Sequence, residues 1–215
     1  MKYKNYLIIL LLTITPNNLK SQILDNYGLK VSYTRSKINV KEVDNYSTWR
    51  SGINCSFFIE KNIYKSISTI IELEYVQKGY ISEQIETNEI GEKIQIVRAN
   101  TRLDYISVPI FMKICYDISN VKPFIQFGPR LDYMFNYEKG TYNFTKVNFI
   151  DETAKYLDSF SFGSSLSFGF ILPFISDKNI ILEGRYNNDF TNLWSKPNTL
   201  LGKNVSYDFW IGITF

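Results

Sequence analysis

Histidine is absent from this chain of 215 residues. That removes His-based triads, His general bases and most zinc sites. Cysteine occurs twice, at Cys55 and Cys115, which cannot form a CxxC metal or redox pair. Charge is nearly balanced: 24 basic and 21 acidic residues, interspersed, leave a net charge of +3. With no basic run, nucleic acid is not an expected partner. Calcium-binding Asp-x-Asp loops, phosphate-cradling glycine loops, internal repeats and low-complexity tracts are also missing. Serines have no histidine to activate them as nucleophiles. The chain reads as a non-enzyme without cofactor or metal.

No stretch beyond the N-terminal region is long and apolar enough for a membrane helix. The N-terminal region itself has a basic start, Lys2 and Lys4, and a short apolar core from Tyr6 to Ile14. Leu19-Lys20-Ser21-Gln22 then ends on a small residue before Gln. This pattern predicts a signal peptide over 1–21 and a single mature domain over 22–215. No Cys follows the apolar core, so a lipid anchor is not expected.

Aromatic residues are abundant at 16%, including 16 Tyr and 16 Phe. They fall into a period-two alternation, the mark of strands. Eight strands are predicted, near 27–34, 50–59, 66–79, 101–116, 121–135, 160–172, 179–187 and 207–215. Their connections alternate long and short. The long loops are 35–48, 80–100, 136–159 and 188–204. An even count with this asymmetry predicts an all-β, eight-stranded antiparallel up-and-down transmembrane β-barrel. Both termini then lie at the short-turn rim, in the periplasm if the barrel sits in an outer membrane.

Alternation alone does not separate a membrane barrel from a soluble, lipocalin-like barrel that binds an apolar ligand. Two features favour the apolar face pointing outward. The polar face is rich in small residues, among them Gly28, Gly52, Ser56, Gly163, Ser165 and Gly212, which suit a narrow interior. The apolar face carries aromatics near strand ends. Tyr33, Tyr75, Tyr133, Tyr186 and Tyr207 lie near the long loops, and Tyr27, Phe57, Tyr116 and Phe215 near the short turns. These form two interfacial girdles.

The inward face then carries Lys30, Glu72, Glu74, Lys113, Arg130, Asp132, Glu183 and Arg185. Four are basic and four acidic, so a salt-bridged, filled lumen is expected rather than an ion-selective pore. Glu72 and Glu74 are the candidates for a proton-active pair. The last strand presents Phe209, Ile211, Ile213 and Phe215 outward, the expected signal to a barrel assembly machinery. Cys55 and Cys115 face opposite sides, so no disulfide is expected.

Several segments also resemble a known family. Tyr105-Ile-Ser-Val-Pro-Ile-Phe-Met-Lys113 resembles a strand of the PorT-like outer-membrane β-barrel domain of Bacteroidetes. Lys122-Pro-Phe-Ile-Gln-Phe-Gly-Pro129 is similar to its next strand, and Glu72-Leu-Glu-Tyr-Val-Gln-Lys-Gly79 to an earlier one. Phe162-Gly163, Phe168-Gly169 and Glu183-Gly-Arg-Tyr186 fit later strands. The resemblance implies an eight-stranded outer-membrane barrel, and one family member is tied to secretion. The expected partners are outer-membrane lipid and surface or secretion-system proteins, met through the four long loops. A narrow channel for small solutes is the alternative.

Overall fold

In a computed structural model, the described residues are 24–40, 47–87, 90, 93–118, 120–141, 157–175, 178–194 and 202–215. The signal-peptide region lies outside them. Eight strands follow one another: β1 (Asn26–Val40), β2 (Arg50–Tyr64), β3 (Ile67–Thr87), β4 (Lys93–Cys115), β5 (Lys122–Thr141), β6 (Phe160–Ile175), β7 (Lys178–Asp189) and β8 (Gly202–Thr214). Each pairs with its sequence neighbours, and β8 returns to β1, closing the barrel. Every pairing is antiparallel. The closing seam matches Leu29 with Ile213, Val31 with Ile211 and Tyr33 with Phe209. Closure leaves no sheet edge at this level, the condition for strands in lipid.

The apolar face points outward. Leu29, Val31, Ile53, Leu73, Leu131, Leu166 and Phe209 are all exposed large hydrophobics. The inward face is mainly polar and charged. The soluble lipocalin-like alternative needs an apolar interior, so it does not describe this barrel. Cys55 is free and exposed on the outside, and Cys115 is free and half-buried.

Two small residues explain how large side chains fit inside. A β-carbon at Gly28 would lie 2.6 Å from the Phe58 ring, and one at Gly169 would lie 2.5 Å from the Phe124 ring. Each glycine is the seat of an inward phenyl ring from a neighbouring strand.

Strands reach into all four predicted long loops. β1 continues to Val40, inside the predicted 35–48. The segment 80–100 is mostly a β-hairpin, with β3 and β4 paired up to Thr87 and Lys93. β5 runs on to Thr141 within 136–159. In 188–204, β7 extends to Asp189 and β8 begins at Gly202. The reason is physical. Outside the bilayer both faces of a strand meet water, so alternation fades while backbone pairing persists. The β5–β6 ladder stops at Tyr133 and Phe160, whereas β4 and β5 pair on to Ala99 and Thr141. β3, β4 and β5 therefore continue as a three-stranded extension past the end of the β5–β6 ladder. A register shift between Asp104 and Tyr105 marks its base.

Candidate functional site

Among the described residues, chemistry-bearing side chains converge in the lumen, and strand alternation puts them there. At the short-turn end, Phe58, Ile70, Phe111, Phe124 and Ile181 form a buried apolar cluster. Beside it Lys113 Nζ donates to Glu60 Oε1 and Oε2 at 2.9 and 3.0 Å, and Ser68 donates to Oε1 at 2.5 Å. Lys113 also sits 5.2 Å from the Phe124 ring centre, a cation–π contact.

The middle of the lumen holds three carboxylates and two cations. Lys30 donates to Glu72 at 2.5 Å and to Glu183 at 2.9 Å. Arg185 spreads across Glu183 at 2.7 Å, Glu74 at 2.5 Å and Glu72 at 3.1 Å. Neutral donors supplement them: Gln126 reaches Glu183 at 3.0 Å and Ser56 reaches Glu72 at 3.3 Å. The Trp210 ring lies between the two cations, 5.5 Å from Lys30 and 4.9 Å from Arg185. Arg185 also stacks 4.7 Å over Phe111. Such fork-like pairing suits arginine, whose planar donors serve several carboxylates at once.

A second cluster lies nearer the long loops. Lys78 donates to Asp132 at 2.6 Å and to Asp189 at 3.0 Å. Arg130 contacts Asp132 at 3.0 Å, Ser165 at 3.2 Å, and Asp189 by a short bond. Here two cations meet two carboxylates. Asp208 stands beside this cluster with neutral donors, accepting from Thr34 and, at 2.6 Å, from Asn187.

Above these charges, Ile38, Val76, Tyr80, Leu103, Tyr105, Leu193 and Trp194 close the mouth as a second apolar cluster. Trp194, from the segment after β7, bridges to Leu157. The charged core is therefore held between two apolar layers. Ser32 Oγ, Asn54 Nδ2, Ser167 Oγ and Trp210 Nε1 are buried around it with no hydrogen-bond partner. Buried polar atoms of this kind are ordinarily met by water.

All eight charged residues expected on the inward face are buried there. Lys30, Glu72, Glu74, Glu183 and Arg185 form the middle cluster, and Arg130 and Asp132 belong to the second. Lys113 stands apart with Glu60. Sequence reasoning missed Glu60, Lys78, Asp189 and Asp208. The signal was available: each continues its strand's alternation, Lys78 two residues past Val76 and Asp189 two past Asn187. With Arg50 on the same face, the buried inward charges among the described residues are six basic and seven acidic rather than four and four. The acid excess falls on the middle cluster and Asp208. Among the described residues, no acidic or cysteine group is arranged to hold a metal ion.

Outside, at the base of the extension, Arg102 binds Asp104 at 2.8 Å and the Tyr75 hydroxyl at 3.0 Å. Asn136 donates to Asp104 at 2.9 Å. Phe209, Ile211 and Phe215 are exposed on the outer face of β8, which Ile213 shares half-buried, and Phe215 stacks on Tyr27 at 5.9 Å.

A family model described as "Outer membrane protein beta-barrel domain" matches residues 21–195. A search of curated proteins finds no match. Among solved structures, the chain is similar to the outer membrane protein OprG of Pseudomonas aeruginosa. The identity is 10% and the TM-score 0.48, over 89% of this chain and 95% of that one. Neisserial surface protein A shares 10% identity with a TM-score of 0.47, over 87% of this chain and 95% of that one. Ail, the attachment invasion locus protein of Yersinia pestis, shares 11% with a TM-score of 0.40, over 90% and 100%. At these identities the likeness is one of chain path.

Proposed function

The chain belongs to the outer membrane protein β-barrel domain family, and from that premise we propose a non-enzymatic, non-conducting barrel that acts through its loop-side surface. One observation carries the reading. The lumen is packed along its length, from Phe58 and Phe111 through the two charge clusters to Leu103 and Tyr105. A solute would have to displace paired charges and two apolar layers. The extension of β3, β4 and β5, together with 35–48, 136–159 and 188–204, then offers the contact surface for surface or secretion-system proteins.

Within the family, the motif around Tyr105–Lys113 and the Glu72–Gly79 strand favour the PorT-like branch of Bacteroidetes, with a role accessory to secretion or envelope integrity. In this reading 1–21 is a cleaved export signal and 22–215 the mature barrel. Both termini of the chain then face the periplasm. Phe209, Ile211, Ile213 and Phe215 serve recognition by the assembly machinery.

A photo-crosslinker at the exposed Ile90, on the β3–β4 turn, tests the surface role in intact outer membrane. Protein adducts at Ile90 that are missing with the crosslinker at the outward-facing Val31 are the expected result. Equal yields at both positions would sink it. The second reading, a narrow channel, is favoured by the unpartnered Ser32, Asn54, Ser167 and Trp210 atoms inside. Purified barrel in planar bilayers decides between them: a flat trace is expected, and reproducible steps would favour the channel.

A further inference from the structure

Two groups of basic side chains stand on the outer surface near the long-loop girdle, and they differ in their partners. On β4, Arg102 is matched by Asp104 at 2.8 Å and by Glu138 of β5 at 3.8 Å. On β1 and β8, strand alternation turns Arg35, Lys37 and Lys203 outward. Among the described residues no ion pair engages any of the three. The register sets Arg35 beside Tyr207 and Lys37 beside Val205. Lys203 sits opposite Asn39, one diagonal step from Lys37.

Aromatic rings gather beneath these cations. Lys37 Nζ lies 5.0 Å from the Trp49 ring centre. Trp49 is 5.4 Å from Tyr207, and Tyr207 is 5.2 Å from Tyr186. A recess of about 340 Å³ opens among Tyr33, Arg35, Trp49, Tyr207, Asp208 and Phe209. Next to it the outer wall is purely apolar, with Val31, Phe209 and Ile211 exposed.

Three cations that no described carboxylate pairs with, set on an aromatic belt, make a surface suited to an anion. Tyrosine and tryptophan fix this level as the boundary between acyl chains and headgroups. Cations at that boundary draw anionic headgroups, and arginine binds phosphate through two parallel donors. The geometry points to a binding site for a phosphate-bearing lipid of the leaflet on the long-loop side. The phosphate sits on Arg35 and Lys37 with Lys203 one step away, and the acyl chains lie along Val31, Phe209 and Ile211. This inference rests on the membrane-barrel reading.

Native mass spectrometry of the refolded mature chain, released from micelles, tests it with three probes: phosphatidic acid, diacylglycerol with the same chains, and inorganic phosphate. Phosphatidic acid is expected to be retained in preference to diacylglycerol. Retention should fall roughly tenfold in R35Q/K37Q and stay unchanged in R102Q. Equal retention by R35Q/K37Q and the parent chain overturns the site. Displacement by inorganic phosphate at concentrations matching the lipid overturns the lipid assignment. Heat-modifiable gel migration of each protein reports on the barrel itself. A chain lacking it fails the underlying reading, whereas folded variants with unchanged lipid retention fail only the site.

Discussion

The two charge clusters of the lumen are built from the same residue types but balanced differently. The cluster nearer the long loops sets Lys78 and Arg130 against Asp132 and Asp189, and each cation touches both carboxylates. The middle cluster sets Lys30 and Arg185 against Glu72, Glu74 and Glu183. There one arginine serves all three carboxylates, and among the described residues it is the one cation paired with Glu74. Redundancy protects the first arrangement, while the second hangs on a single guanidinium. A buried carboxylate stripped of its partner costs far more than the pair contributes in net stability.

Urea unfolding of the barrel in lipid vesicles breaks this comparison most sharply at Arg185. Arg185→Met should lower stability by about 3–5 kcal/mol, since three buried carboxylates are left with Lys30. Lys78→Met should cost less, about 2 kcal/mol, because Arg130 still holds both aspartates. A loss equal to that of Arg185→Met would show the redundancy to be illusory. The smallest effect is expected from Gln126→Leu, which removes one neutral donor from Glu183 while both its cations stay, at about 1 kcal/mol. If that loss instead rivals Lys78→Met, the middle cluster is limited by total donors rather than by the arginine.

The barrel was legible in the sequence because lipid imposes a strict rule on every second residue. Tyr27, Leu29, Val31 and Tyr33 could not be apolar at that spacing by helix logic, and eight such stretches left little choice of architecture. The extension was not legible. Above the girdle both faces of a strand can meet water, so the strand carries no alternating label. Partners within the lumen were hidden for a different reason. Arg185 and Glu74 lie 111 residues apart and meet only through the tilt and stagger of the closed sheet. Inward position follows from alternation, but which charges share a level follows from the stagger. Asp189 and Glu60 escaped because their strands seemed to end just before them, whereas Lys78 lay within the predicted 66–79 and simply continues the inward face past Val76.

The cross-lumen placement of Lys30 has a consequence for how the molecule forms. Lys30 lies on the first strand, yet its carboxylates come from β3 and β7, and its side chain packs over Gly212 of the last. No partial sheet can bring these together. A barrel closed one strand short, or slipped by one register step, would leave Lys30 and Arg185 facing lipid or facing each other. The salt-bridged core thus works as a proofreading lock: its charges fall silent only when the first strand has met the last in the right frame.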